Sequence, residues 1–555
     1  MNILIAYPKI TRFPGQLYDV HLGLAYISSV LKASGHQVTC VNLSHYADNS
    51  VMEDIISKNN IEVVCSGGQS PFYLKIKKIF DDARTYSPEI ITVLGGGVIT
   101  AEPELIYKMM SPTYGVIGEG EETIVELMEA VESNRDVSKV KGIIYRDRKG
   151  VIIKNGDRDP IADIDQIPFP DFDGFEVEKY FEHQMIGDSY LFHTLEQPPR
   201  SLPIISSRGC PFQCTFCFHP IGKKYRQRSL DNFFEELELL ISKYRINYVD
   251  VFDELFTVEK KRVYEFCERI KPYRINWATQ MRVNTVDEET LKLLKESGCT
   301  CISYGIESAS NTVLKSMKKA ITVEEINRAL ELTKKAGITI QGNLIVGDPG
   351  ETIETIRENV EWLNKHPEYD IAFGNIMIYP GSELYFRAIE KGFIKNKEDF
   401  LEMGGGVFNL TKISDDQFYK LTLLFEVETR NSRMKKAGKI VSMKRISTNK
   451  LKGDICDFKA YCPHCKYLNE YRAFNILYNG IEQSKQMVCK NCLQKYHVFK
   501  NLFFAKVLYK LTRHVPENLG VFVFNVTSRL LSLKHGTAKD NRDGIIRYIK
   551  RMIKK

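Results

Sequence analysis

The stretch SSRGCPFQCTFCFHP, residues 206–220, places three cysteines within eight residues of a chain that has only 13 cysteines in 555. Disulfides consume cysteines in pairs, and a closed tetrahedral zinc site takes four ligands. Three on one short loop therefore ask for a different partner. The apolar run PIISS (203–207) leading into them reads as a strand, so the cysteines lie where a strand hands over to a loop. Cys210, Cys214 and Cys217, spaced C-x3-C-x2-C, can hold three irons of a 4Fe–4S cluster and leave the fourth iron without a protein ligand. Such an open iron is a place for a substrate to chelate. A zinc site borrowing His219 and a chance spacing are the alternatives.

The rest of the chain places this loop in a large α/β protein. The opening MNILIAYPK has no basic segment leading into an apolar core and cleavage site. No apolar run approaches 18 residues, so neither a signal peptide nor a membrane span is expected. Clustered cysteines without an export signal point to metal binding in a reducing, cytoplasmic compartment. The net charge of +7 is concentrated at the end: residues 501–555 hold 12 Lys+Arg against 3 Asp+Glu. The body is near neutral, which argues against a nucleic-acid-binding surface.

Residues 1–135 alternate short apolar runs (NILIAY, QVTCVN, EVVCS, IITVLGG, YGVIG) with helical stretches such as LGLAYISSVLKASG and YLKIKKIFDDAR. This pattern predicts a doubly wound parallel sheet. Its strands end in Ser66-Gly67-Gly68, Gly95-Gly96-Gly97 and Gly118-Glu119-Gly120, where ligands approach the backbone in such sheets. Residues 136–200 read as a linker with a small hairpin. A second alternation over 201–395, with six strand candidates, predicts a partial α/β barrel whose function lies at the strand C-termini. Residues 396–455 read as helical, 456–500 as a cysteine-rich module and 501–555 as a basic helical tail.

After the cluster loop come YRQRS, FDELF, MRVN, GIESAS, IVGDPGET and IYPGSELY. With C-x3-C-x2-C and Phe216 before the last cysteine, this order resembles the radical SAM superfamily. The resemblance implies that the amino and carboxylate groups of S-adenosyl-L-methionine (SAM) bind the open iron. One electron then cleaves SAM to methionine and a 5′-deoxyadenosyl radical. It also implies roles for single residues: Asp253 and Glu254 for the SAM ammonium, Arg282 for its carboxylate, Glu307 for a ribose or methionine contact, and Phe216 against the adenine. A one-electron reductant such as flavodoxin or ferredoxin is the implied partner.

Residues 1–135 have two readings. GEGEET (118–123) superficially matches a dinucleotide fingerprint, but Thr123 replaces its third glycine and the motif follows the fifth strand. The segments LGLAYISSVLKASGH, VLGGGVITAEPE and GVIGEGEETIVEL instead resemble the cobalamin-binding domain that precedes the barrel in one class of radical SAM enzymes. That resemblance implies cobalamin near Ser66, Gly95, Gly96, Gly118 and Glu119. In DVHLG (19–23) the glycine comes one residue early for a D-x-H-x-x-G cobalt site, so His21 is not expected to ligate the metal. A methylthiotransferase would need three cysteines here, and only Cys40 and Cys65 are present, both in strand-like runs; Cys267, Cys299 and Cys301 also read as core or loop residues.

Cys462-x2-Cys465 and Cys489-x2-Cys492 supply four thiolates for a closed zinc site resembling a zinc ribbon, with a further iron–sulfur cluster as the alternative. In IIRYIKRMIKK (545–555) apolar and basic residues fall on opposite helical faces, which suits either an anionic membrane surface or a docked terminal helix. Together these features predict a cobalamin-dependent radical SAM enzyme that methylates an unactivated carbon of a small-molecule or lipid-linked substrate. Radical cyclisation, oxidation or rearrangement without methyl transfer is the alternative within that architecture. A catalytically inert zinc-ribbon binding protein is the alternative outside it.

Overall fold

The computed structural model describes residues 1–9, 20–184, 190–449, 453–476 and 484–507. The basic helix read at 545–555 lies outside them. Strands β1 (Asn2–Tyr7), β2 (Gln37–Asn42), β3 (Val63–Gly67), β4 (Ile91–Gly95) and β5 (Tyr114–Val116) pair in parallel in the order β2-β1-β3-β4-β5. Helices cover both faces, which is why these strands are continuously apolar rather than alternating. Successive residues of β1 feed different cores. Ile3 and Ile5 point into one, and Leu4 and Ala6 into another.

The segment 136–200 is more than a linker. β6 (Ile143–Arg146) and β7 (Ile152–Lys154) form the expected hairpin, but β6 pairs antiparallel with β5 and extends the first sheet to seven strands. Short β5 would otherwise present an unpaired edge. Beyond the hairpin, Ile164, Phe172, Phe175 and Phe181 are buried in the same core that contains Ile3, Ile5, Leu202 and Ile204. One apolar core therefore runs from the first sheet into the second.

In the second sheet, β8 (Ser201–Ile204) is followed by a two-stranded ribbon, β9 (Ser207–Arg208) and β10 (Arg226–Gln227), that brackets the three-cysteine loop. Strands β11 (Tyr248–Val251), β12 (Asn276–Met281), β13 (Cys299–Glu307), β14 (Thr339–Val346) and β15 (Ala372–Asn375) complete a parallel sheet ordered β8-β11-β12-β13-β14-β15. This is the expected partial barrel of six strands. Its helices start where the sequence supplies caps: Ser229 accepts from the Asn232 amide ahead of Leu230–Tyr244, and Thr322 and Glu325 form a capping box on Val323–Lys335.

The region 396–455 is helical only to Lys435. From there β16 (Lys439–Asn449) pairs with β17 (Gly453–Tyr461), which pairs with β18 (Leu468–Ile476), and β19 (Ser484–Val488) pairs with β20 (Lys495–Phe499). The run KIVSMKRISTN is strand-forming because its partner β17 lies within hairpin reach. The cysteine-rich module therefore begins before residue 456. No helix of the described residues is long and apolar enough to cross a membrane.

This module docks on the barrel through buried Asp370, which accepts hydrogen bonds from Gln486 and from His497 Nε2, the latter at 2.9 Å. Burial alone would raise the Asp370 carboxyl, but His497, Lys495 and Arg433 hold it well below its ordinary 3.8. A depressed folded-state pKa contributes stability that is complete above the unfolded value and is lost as pH falls below it. The docked module should therefore survive at pH 5 and detach only in stronger acid. Removing one partner of a buried pair strands the other, at about 3–5 kcal/mol. Asp370→Ala should lower the denaturant midpoint accordingly at neutral pH, and an unchanged midpoint would refute this account of docking.

Candidate functional site

The cysteine loop is held in shape by backbone contacts its sequence permits. Gly209 has φ +82°, and a Cβ there would lie 2.3 Å from the Lys224 carbonyl oxygen, so only glycine lets the β9–β10 ribbon close. Within the loop the Cys217 amide donates to the Cys214 carbonyl at 3.1 Å; Thr215 donates to the Met317 carbonyl at 3.0 Å and accepts from the Leu384 amide at 2.9 Å. The Phe218 ring lies against Gly381, where a Cβ would come within 2.5 Å of it. Cys214 is buried, and Cys210 and Cys217 are half-buried. A hydrogen bond from Cys217 pulls the Cys214 thiol down to about 6, with Lys319 and Arg282 acting in the same direction. Burial raises Cys210, and Glu254 adds to the rise.

The residues expected around this loop are brought together, with divided tasks. Asp253 is buried and takes the Ser206 amide at 2.6 Å, the Ser207 amide at 3.0 Å and the Ser206 hydroxyl. Its carboxylate is thus spent on fixing the chain that enters the cysteine loop. Glu254, one residue on, faces Cys210 electrostatically; burial and Asp253 raise its carboxyl. Arg282 stacks on the Phe212 ring at 3.6 Å and donates through Nη2 to the Lys319 carbonyl at 2.5 Å, while its buried Nε has no protein partner. Glu307 has φ +64° and pairs with Lys319 at 2.8 Å. Phe216 packs against the apolar cluster of Val313, Met317 and Ile378.

At the C-terminal rim of the first sheet, the glycines let two loops meet backbone to backbone. A Cβ on Gly67 would lie 2.6 Å from the Gly95 oxygen, and one on Gly96 (φ +83°) would lie 2.9 Å from Gly68. Gly95 and Gly118 face open space, with nothing within 4 Å of where a Cβ would sit. The Ser66 hydroxyl points back into the sheet and donates to the Ala6 carbonyl at 2.7 Å. His21 caps the helix Leu22–Ala33 by accepting the Leu24 amide on Nδ1 at 3.1 Å, and burial lowers its pKa to about 4. A neutral imidazole that accepts on Nδ1 keeps its proton on Nε2, which leaves no free lone pair for a metal.

Glu119, expected to face a cofactor, has a different task. Its carboxylate accepts from Arg208 at 3.0 Å, from Arg226 at 2.7 Å and from the Ile161 amide at 2.8 Å. Glu121 takes the other side of Arg208 at 2.7 Å. All four side chains are at most 9% exposed. Arg208 and Arg226 lie on the ribbon that brackets the cysteine loop, so the two sheets meet through these charges.

Far from this loop, the sulfurs of Cys462, Cys465, Cys489 and Cys492 all lie within 4.8 Å of one another, close enough to share one ion. The Asn469 side chain donates to Cys489 at 3.5 Å and the His464 amide to Cys462 at 3.4 Å. Among the described residues this is the one group so tightly gathered, and the three cysteines of the loop are set wider apart.

Residues 204–363 match the model of the Radical SAM superfamily, and residues 16–128 match that of the B12 binding domain. An uncharacterised methyltransferase of Pyrococcus horikoshii is 31% identical over 382 residues, which span 67% of this chain and 79% of that protein. The chain belongs to the radical SAM superfamily. It carries a B12-binding domain ahead of its radical SAM domain. An anaerobic magnesium-protoporphyrin IX monomethyl ester cyclase of Rubrivivax gelatinosus is 30% identical over 60% of both chains. The fold also matches the solved structure of OxsB, a cobalamin-dependent S-adenosylmethionine radical enzyme with aqua-cobalamin bound, at TM-score 0.63 and 16% identity over 78% of this chain and 72% of that one.

The residues of the radical SAM domain fit a cluster that needs three thiolates. One of its cysteines is already acidified, two cations act on it, and the buried Arg282 Nε lacks a protein acceptor. The B12-binding domain presents an open glycine rim at Gly95 and Gly118, and the His21 imidazole is committed to its helix cap. Sequence reasoning missed Lys319, although SMKKA marks a basic turn, and it missed Arg208, whose only signal was its place before Gly209. Glu119→Ala would leave Arg208 and Arg226 buried without their shared partner, a loss of about 3–5 kcal/mol. It should lower both the denaturant midpoint and the iron bound per chain after anaerobic reconstitution. Full iron and an unchanged midpoint would contradict the proposed anchoring.

Proposed function

We propose that this radical SAM protein uses cobalamin to methylate an unactivated carbon of a small-molecule substrate held between its two sheets. The observation carrying this reading is the contact through Glu119: the loop that gives Gly118 to the open rim of the B12-binding domain also grips the ribbon around the three cysteines. When bound, the cluster supplies the electron that opens SAM, and cobalamin supplies the methyl group.

The side chains of the protein then have separable roles. Cys210, Cys214 and Cys217 hold the cluster. Glu254 suits the SAM ammonium and Arg282 its carboxylate, as charge-assisted partners. Glu307, held by Lys319, suits a ribose or methionine contact, and Phe216 would lie against the adenine. Asp253 shapes the entry to the loop. Ser66 and Gly96 brace the rim that would receive cobalamin, and Gly95 and Gly118 would leave room for it. His21, committed to capping its helix, would not ligate the cobalt. Each turnover consumes two SAM molecules and two electrons, delivered by a reductant such as flavodoxin or ferredoxin. One SAM leaves as methionine and 5′-deoxyadenosine, the other as S-adenosylhomocysteine.

A second reading, radical chemistry without methyl transfer, is favoured by the similarity to the Rubrivivax cyclase. Product analysis separates the two. The native protein, reconstituted with iron, sulfide and cobalamin and given SAM and a reductant, should form 5′-deoxyadenosine and S-adenosylhomocysteine together. 5′-Deoxyadenosine alone would exclude methyl transfer, and neither product would exclude both readings. Cys214→Ser should abolish 5′-deoxyadenosine.

For Cys462, Cys465, Cys489 and Cys492 we propose a closed structural zinc site, which contributes folding energy to a small module. Metal analysis should find one zinc per chain, retained in Cys214→Ser and lost in Cys489→Ser. Iron in place of zinc would overturn the assignment.

A further inference from the structure

We propose that Lys319 is a positioning residue of the radical SAM site, whose ammonium both sets Glu307 and offsets the negative charge of the cluster thiolates. This rests on the reading of Cys210, Cys214 and Cys217 as cluster ligands, and it adds a residue that the sequence reading did not single out.

Three features of the fold place that ammonium. First, Lys319 Nζ pairs with Glu307 Oε1 at 2.8 Å, both side chains being at most 14% exposed. It lies 5.8 Å from the centre of the Phe216 ring, which immediately precedes Cys217. Its charge acts on both Cys214 and Cys217. Second, the space it fills exists only because residue 305 is glycine. A Cβ there would lie 2.5 Å from Lys319 Nζ and 2.8 Å from Glu307 Oε1. Gly305 does not have a left-handed φ, so the clearance for the pair is what glycine supplies at this position. Third, the backbone is bent to deliver the side chain. Lys318 and Ala320 flank it at φ +53° and +52°, and Glu307 itself sits at φ +64°. Non-glycine residues in this region cost of order 1–3 kcal/mol each, and such strain collects at functional sites. The Lys319 carbonyl meanwhile accepts from Arg282, so one residue joins the ends of β12 and β13 to the cysteine loop.

The chemical consequence follows from charge. Adding an electron to a cluster held by three thiolates adds negative charge, and a nearby buried cation stabilises the reduced form. Removing the cation should make reduction harder without touching a cluster ligand.

The test is a reductive titration of the 4Fe–4S signal by electron paramagnetic resonance, in reconstituted full-length protein without SAM. Lys319→Gln should need a potential more negative by about 59 mV or more, a tenfold lower reduced fraction at fixed potential. Lys319→Arg should restore the native midpoint. Lys319→Gln should also weaken SAM binding several-fold, because Glu307 loses its orienting partner. Should Lys319→Gln take up no cluster, Glu307→Gln serves in its place. It leaves the ammonium unpaired and should shift the midpoint to a less negative potential. A fully loaded Lys319→Gln with the native midpoint and SAM affinity overturns the proposal, as does an unshifted midpoint in Glu307→Gln. A native protein that binds no cluster would instead refute the underlying reading of the three cysteines.

Discussion

The arrangement depends on one buried meeting of charges. Glu119 and Glu121, from the loop that closes the first sheet, grip Arg208 and Arg226 on the ribbon around the three cysteines. Two arginines and two carboxylates out of water are costly unless each is matched, and here each is matched with good geometry. The network fixes which face of the first sheet meets which end of the second. Arg208 is two residues from Cys210 and Glu119 adjoins Gly118, so the charges that join the sheets also set the distance between the two cofactor sites.

Around that anchor, the cysteine loop is defined more by its neighbours than by its own residues. Asp253 ties its entry, Met317 and Leu384 hold its middle, and Gly381 makes room for Phe218 near its exit. These partners come from three separate segments: the end of β11, the turn after the helix Asn311–Ser316, and the chain that follows β15. Such convergence spreads the three thiols of the loop, of which Cys214 and Cys217 are hydrogen-bonded, over more space than the four thiols of the C-terminal module, which gather within reach of a single ion. The first arrangement suits a multi-iron cluster with one vertex free, and the second a single closed site.

Much of this was legible in the sequence because local chemistry dictated it. Buried parallel strands announce themselves as short apolar runs, and β1 and β2 begin and end at Asn2–Tyr7 and Gln37–Asn42, as NILIAY and QVTCVN indicate. Cysteine spacing is equally explicit. What stayed hidden depends on contacts between distant residues. Nothing local tells that Glu119 meets an arginine 89 positions later. Asp253 and Glu254 look equivalent in FDELF until the fold gives the first to Ser206 and Ser207 and leaves the second facing Cys210. The run 439–449 reads as part of a helical region because its strand partner follows only after a turn. Lys319 escaped notice because its role is set by the clearance at Gly305 on another element.

The central claim is that three cysteines, and not four ligands, hold the cluster, so that SAM completes its coordination. The most direct measurement is the electron paramagnetic resonance spectrum of the reduced cluster before and after SAM is added to the full-length protein, with SAM labelled at its amino nitrogen by ¹⁵N. The account predicts a change in the spectrum and a resolved nuclear coupling from the label. An unchanged spectrum with no coupling, in a protein that binds its full iron, would contradict it.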